Sequence, residues 1–383
     1  MHLTKEEEKL LCSENPTIRK SMEILVALGE IFDADKLIGV NSVQISGISY
    51  QNIGDAGLEW FEGLSGRFVV RAMINPAGLD LKRWKEMGID EGFYRKQMRI
   101  VNALLKLGAE LSLTCTPYYF DPPSLGDHIA WAESNAVVYA NSILGARTNR
   151  ESGISALAAG IIGKTPNYGL HLDENRKPSI LVDVKAEIEN EAMLSLLGYK
   201  IGEKITSEVP YFRFRKKLPE DWLKLLGASL AAKGNTALFH VENQTPEWDG
   251  FSINGLEKLE IDKAEIGVEG QCNPDLIALG CPHFSEKELE YLLKLIEDKG
   301  KVKKDFWVFT SRKLVEKRPD LVRKLEEHNI KVFSDTCMVV SPATENYECV
   351  MVNSGKALTY LPKLRKVDVR FGGMKECVEV AFS

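Results

Sequence analysis

Short apolar runs that break off into polar turns, separated by amphipathic helical stretches, constrain this chain more than any other feature of its sequence. The runs LIGVNSVQI, FVVRAMINPAG and AELSLTCTPYYF follow one another with helical segments between them. Parallel strands need a crossover between them, so the alternation predicts an α/β fold of doubly wound parallel sheets. Ahead of these runs the spacing predicts two helices. The first follows Thr4 and reaches Leu11; the second starts at Pro16 and places Ile18, Met22, Leu25, Val26 and Ile31 on one face. DHIAWAESNAVVYANSILG reads as one long helix, and SILVDVKAEIENEAMLSLLGYKIG as a strand and a helix. From Thr236 the pattern restarts with TALFHVEN, LIALGCPHF, a helix over 286–298, FWVFT, IKVFSDTCMVV and CVMVN. A chain of 383 residues exceeds one ordinary core. The expected lobes are 1–145 (N-terminal helices and a first α/β unit), 146–235 (a middle portion) and 236–383 (a second α/β unit).

Composition narrows the function classes. Hydrophobic residues make up 44% and charged residues 27%, and the net charge is −6 with the two signs interspersed. That argues against a nucleic-acid surface, which needs concentrated positive charge. No run approaches the roughly 18–20 apolar residues of a membrane helix. The N-terminus is charged and periodic, unlike a signal peptide, so the expected location is the cytoplasm. Seven cysteines, irregularly spaced, do not read as a disulfide framework.

In open α/β sheets ligands collect beyond the carboxyl ends of the strands. Cys115, Cys281 and Cys337 all lie there, in LSLTCTP, IALGCPH and VFSDTCMVV. Three thiolates converging would repel one another without a metal, and soft thiolates select iron–sulfur, zinc or copper(I). The competing expectation is that each is a small buried hydrophobe. Cys12, Cys349 and Cys377 are read as packing, and Cys272, in the turn EGQCNPD, fits either view.

Anion-binding candidates share these turns. In SGIS, Gly47 allows the amides of Gly47, Ile48 and Ser49 to converge on an anion, and Ser46 and Ser49 add hydroxyls; otherwise it is an ordinary turn. Asn75 and Pro76 of NPAG shape the same wall or simply join strand to helix. Asn135 hydrogen-bonds a ligand, supports the metal site or faces solvent. Ser354 and Lys356 of NSGK offer a donor and a positive charge, without the upstream glycine of a P-loop. Arg147 and Arg150 suit a carboxylate or phosphate, or form structural ion pairs. His128, His240 and His283 are expected to be hydrogen-bonded structural residues. Glu133 and Asp335 are expected, at most, to support groups that touch the ligand.

The runs ISYQNIGDAGLEW, INPAGLDL, TCTPYYF, WAESNAVVYANSILGARTNRESG, LIALGCPHFSEKEL, SDTCMVV and NSGKALTY span 40–361 and resemble the aconitase X family. The resemblance implies an aconitase-like, multi-lobed fold with its active-site cleft at the strand carboxyl ends. It also implies a 4Fe–4S cluster on Cys115, Cys281 and Cys337 with one iron left open. The implied activity is that of a hydro-lyase large subunit, dehydrating (R)-5-phosphomevalonate to trans-anhydromevalonate 5-phosphate for isoprenoid synthesis. A small swivelling-domain subunit would complete it and carry the catalytic base; this chain is expected to end too early to contain that domain. Candidate substrate contacts are Gly47, Ile48, Ser49, Asn75, Pro76, Asn135, Ser354 and Lys356, with Ser46, Arg147 and Arg150 secondary. The alternatives are a cis-3-hydroxy-L-proline dehydratase of the same family, zinc on the same thiols, or a non-catalytic metal-binding regulatory protein.

Overall fold

The computed structural model describes residues 1–206, 208–263, 266–267 and 270–383. Its core is built from three parallel sheets. The chain opens with the two expected helices. Lys5–Leu11 is capped reciprocally by Thr4 and Glu7, and Pro16–Ile31 follows an Asn15 cap. Met22 and Leu25 of the second helix are fully buried with Val43 and Ile45 of the first sheet.

That first sheet has Ser42–Ile45 at its centre, flanked by Arg71–Ile74 and Ala130–Trp131, all parallel. The third sheet has the order Ile330–Phe333, Asp305–Thr310, Leu276–Phe284, Cys349–Val352, Asp368–Phe371, again all parallel. The chain enters this sheet at its centre, builds to one edge, then crosses back to build the other. Its direction therefore reverses between Leu276–Phe284 and Cys349–Val352, a topological switch point of the kind where ligands bind. Alternate residues explain why both faces are covered: Leu276, Ala278, Trp307 and Phe309 enter one apolar cluster, Ile277, Leu279, Phe306 and Val308 another.

The middle sheet has the order His240–Val241, Pro210–Arg213, Ile180–Val184, Glu257–Ile261. Its helices Glu191–Lys204 and Glu220–Gly234 reach the third lobe, where Ser195 Oγ accepts from Gly355 N at 2.8 Å.

Several expectations need correction. The strand in TALFHVEN pairs with Pro210–Arg213, so the segment from Thr236 closes the middle sheet instead of opening the last lobe. DHIAWAESNAVVYANSILG is not one helix: Ala130–Trp131 is a strand, and the helix is Ser134–Ser142, started by the Glu133 side chain accepting from Asn135 N. AELSLTCTPYYF makes only an isolated bridge from Glu110 to Met73 and a short turn of helix at Pro117–Tyr119. Among the cysteines, Cys12 is exposed, and Cys349 is not simple packing because it is disulfide-bonded to Cys272.

Candidate active site

Six strands contribute residues to one cavity. From the first sheet come Ser46 and Gly47 after the central strand, Asn75 and Pro76 after Arg71–Ile74, and Glu133 and Ser134 after Ala130–Trp131. From the third sheet come Cys281 within its central strand, Cys337 after Ile330–Phe333, and Lys356 after Cys349–Val352. All of these, with Cys115 and Arg150, line one cavity of about 230 Å³. The two sheets are tied together at its edge, where Ala77 N donates to Asp335 O at 2.7 Å.

Local sequence explains how the thiols get there. Gly280 sits at φ +98°, and a Cβ there would lie 2.1 Å from Phe309 O, so only glycine lets the strand bend. Pairing with Asp305–Thr310 shifts register between Leu279 and Phe284, which frees Cys281 and His283 from the ladder. The bond Cys281–Pro282 is cis. His283 N donates to Cys115 Sγ at 3.2 Å. Ser354, itself buried, caps the helix that carries Lys356, its Oγ accepting from Ala357 N at 3.4 Å.

Charge in the cavity is concentrated in one pair. Lys356 and Glu133 form a salt bridge with side chains only 9% and 12% exposed. Glu133 also accepts from Asn75 Nδ2 at 2.9 Å and from Asn135 N at 3.2 Å. Burial alone would raise the Glu133 pKa, but Lys356 and these donors hold it below its ordinary value. Burial opposes the Lys356 charge too, yet Glu133 beside it raises the lysine pKa. Burial pushes all three thiols up, Cys281 to about 12, with Glu133 adding to the effect and Lys356 countering it at all three. A metal's charge reverses that preference, since cations stabilise the thiolate. Three buried, unbridged thiols around one cavity are a donor set that suits a soft metal centre. Among the described residues, however, no three His, Cys, Asp or Glu side chains are disposed to share a single ion.

Not every candidate reaches the cavity. Ile48 is 1% exposed in the first-sheet core, and Ser49 turns inward to donate to Val340 O at 3.0 Å. Asn135 supports from behind, its Nδ2 donating to Cys115 O at 3.0 Å and to Tyr118 at 2.9 Å. Arg147 lies elsewhere, bonded to His171 O and Asp173. Arg150 lines the cavity while also donating to Ala231 O and Asn235. His128 pairs with His171 at 2.9 Å, and His240 with Arg176 O at 2.8 Å. Asp335 pairs with Arg312 beside the Cys337 loop. Asn52, Ala132, Val339, Val340, Tyr360 and Leu364 complete the lining without having been candidates. Tyr360 and Leu364 follow Lys356 at intervals of four on the helix Gly355–Leu364, a helical spacing that could have revealed them.

Models of the aconitase X first, second and third domains match residues 1–174, 178–269 and 274–383. The chain belongs to the aconitase X family. Among its relatives in that family, the Methanosarcina mazei protein called phosphomevalonate dehydratase large subunit is 47% identical, covering 100% of this chain and 97% of the relative. The Methanocaldococcus jannaschii protein of the same name is 45% identical, covering 99% and 100%. A Pseudomonas aeruginosa cis-3-hydroxy-L-proline dehydratase is 31% identical, and the match covers 98% of this chain but 69% of that longer protein. The crystal structure of Thermococcus kodakaraensis aconitase X in its holo-form superposes with a TM-score of 0.93 at 41% identity, over 100% of both chains. This aconitase X chain has, among its described residues, no helix long and apolar enough to cross a membrane.

Proposed function

We propose that this chain is the large subunit of an iron–sulfur hydro-lyase that removes water from (R)-5-phosphomevalonate, forming trans-anhydromevalonate 5-phosphate. The observation that carries the reading is one cavity lined by three buried thiols, the Lys356 and Glu133 pair and the Ser46 and Gly47 turn. The full-length relatives at 47% and 45% identity, named for phosphomevalonate, support this substrate over cis-3-hydroxy-L-proline, whose named relative is 31% identical.

Cys115, Cys281 and Cys337 would hold a 4Fe–4S cluster. A centre with several metal atoms would not require the three thiols to converge on one ion. When bound, the cluster supplies a Lewis acid for the departing hydroxyl, which is otherwise a poor leaving group. The chain's own residues bind and orient. Lys356, Arg150 and the Ser46 and Gly47 turn supply positive charge and donors for an anion carrying a phosphate and a carboxylate. Asn75 Oδ1 is buried without a partner, an acceptor suited to a substrate hydroxyl. Val339, Val340 and Leu364 give the cavity an apolar wall that limits water on that side.

Glu133 is a poor candidate for the proton-abstracting base, because Lys356, Asn75 and the Asn135 amide already occupy its oxygens. We assign that base to a small swivelling-domain subunit, in keeping with relatives named as large subunits. The reading is tested by supplying the anaerobic two-subunit enzyme with (R)-5-phosphomevalonate and, separately, cis-3-hydroxy-L-proline. Water loss from the first only is expected; turnover of the second alone would contradict the assignment.

A further inference from the structure

Each proposed ligand cysteine comes from a different segment of the chain, so something must fix their mutual placement before a cluster can be gripped. One side chain touches all three segments. His283 is 0% exposed and lies two residues beyond Cys281 on the same strand, where the ladder is interrupted. Its Nε2 lies 2.8 Å from the carbonyl oxygen of Thr336, the residue before Cys337. A carbonyl can only accept, so Nε2 carries the proton and Nδ1 is left as an acceptor. Nδ1 lies 3.0 Å from the hydroxyl of Thr114, the residue before Cys115. The His283 amide, in turn, donates to Cys115 Sγ at 3.2 Å.

We infer that His283 is the positioning residue of the cluster site: its imidazole pins the Cys115 and Cys337 loops to the strand bearing Cys281, while ligating nothing itself. Both ring nitrogens are already engaged, which removes it from the ligand set. Such supporting partners of metal ligands characteristically change metal retention by about 10–100-fold. The inference rests on the reading of the three cysteines as cluster ligands.

The test uses the full chain, loaded with iron and sulfide under anaerobic conditions, and follows iron release to a ferrous chelator well below the unfolding temperature. His283→Gln keeps a donor for Thr336 and removes the Nδ1 acceptor. Thr114→Val removes the other half of the same contact, together with the Thr114 hydroxyl's bonds to Thr116, and it serves if the histidine variant does not fold. Each variant is expected to release iron about tenfold faster or more. The double variant should be no worse than the worse single, because one contact cannot be lost twice. The visible circular dichroism of the bound cluster should shift in both. Wild-type release and spectra in both variants, or additive effects in the double, would overturn the role of His283. A wild-type chain that binds no iron and sulfide would instead contradict the cluster reading beneath it.

Discussion

Lys356 and Glu133 show how much of the site hangs on single buried residues. Their salt bridge joins the first sheet to the third, and Glu133 also holds Asn75. Lys356→Ala should weaken binding of (R)-5-phosphomevalonate by roughly 1.5–3 kcal/mol, the range for a hydrogen bond to a charged group, measured by calorimetry on the loaded chain. The pair also predicts a pH dependence. The Glu133 pKa is depressed from its ordinary 4.5, so its contribution is present above that pH and is lost as pH falls through the depressed value. The Lys356 pKa is raised from 10.5, so its contribution is complete below that pH and is lost only at higher, strongly alkaline pH. Urea unfolding between pH 7 and pH 3 should therefore show wild type losing more stability than Glu133→Gln; parallel losses would remove the pair from the account. Among the thiols, Cys115→Ala, Cys281→Ala and Cys337→Ala should each lose most bound iron and sulfide, whereas Cys12→Ala and Cys377→Ala should keep them. Full iron content in any of the first three would defeat the ligand assignment. The strand-end context of Cys337 was legible in the sequence because an apolar run followed by a turn marks a carboxyl end, whereas Cys281 lies within its strand and Cys115 follows a segment that forms only an isolated bridge. The importance of Glu133 was not, since its partner Lys356 lies 223 residues away.

At the scale of elements, alternation and capping carried the prediction where a segment is long or clearly punctuated. Leu276–Phe284, Asp305–Thr310 and Cys349–Val352 lie where the apolar runs place strands. The failures were short, fully buried pieces. Ala130 and Trp131 are 0% exposed and run straight into a helix whose residues are also buried, so periodicity cannot separate strand from helix there. Pairing across distance was equally hidden. Cys272 and Cys349 are 77 residues apart, yet their disulfide clamps the approach to the central strand against its neighbour, where Asp275 also accepts from Glu348 N and Cys349 N at 3.0 Å. Closing so long a loop should stabilise the chain by about 2–4 kcal/mol. Unfolding the metal-free chain in denaturant without reductant should expose five alkylatable thiols of the seven, and Cys349→Ala should lower the unfolding free energy by that amount. Seven reactive thiols, or unchanged stability, would show that the bridge does not form.

For the whole molecule, the sequence conveyed several doubly wound lobes but misplaced a boundary, because TALFHVEN looks like the start of a new alternation and is in fact an edge strand of the middle sheet. Edge or opening strand is decided by pairing, which a linear pattern does not record. What the assembled lobes achieve is to bring the carboxyl ends of the first and third sheets to one cavity lined by the three buried thiols, the Lys356 and Glu133 pair and Arg150. Leu364, on its rim, is 47% exposed, and Ile154, in the helix that follows Arg150, is 52% exposed. In the proposed enzyme this face receives the small subunit, whose closure would exclude water and deliver the base. The most direct measurement is turnover of (R)-5-phosphomevalonate by the anaerobically reconstituted large chain, before and after the small subunit is added. The account predicts bound iron and sulfide with negligible turnover by the large chain alone, and rapid formation of trans-anhydromevalonate 5-phosphate once the partner is present. Turnover by the large chain alone at the rate of the complex, or none from the complex with its cluster intact, would contradict it.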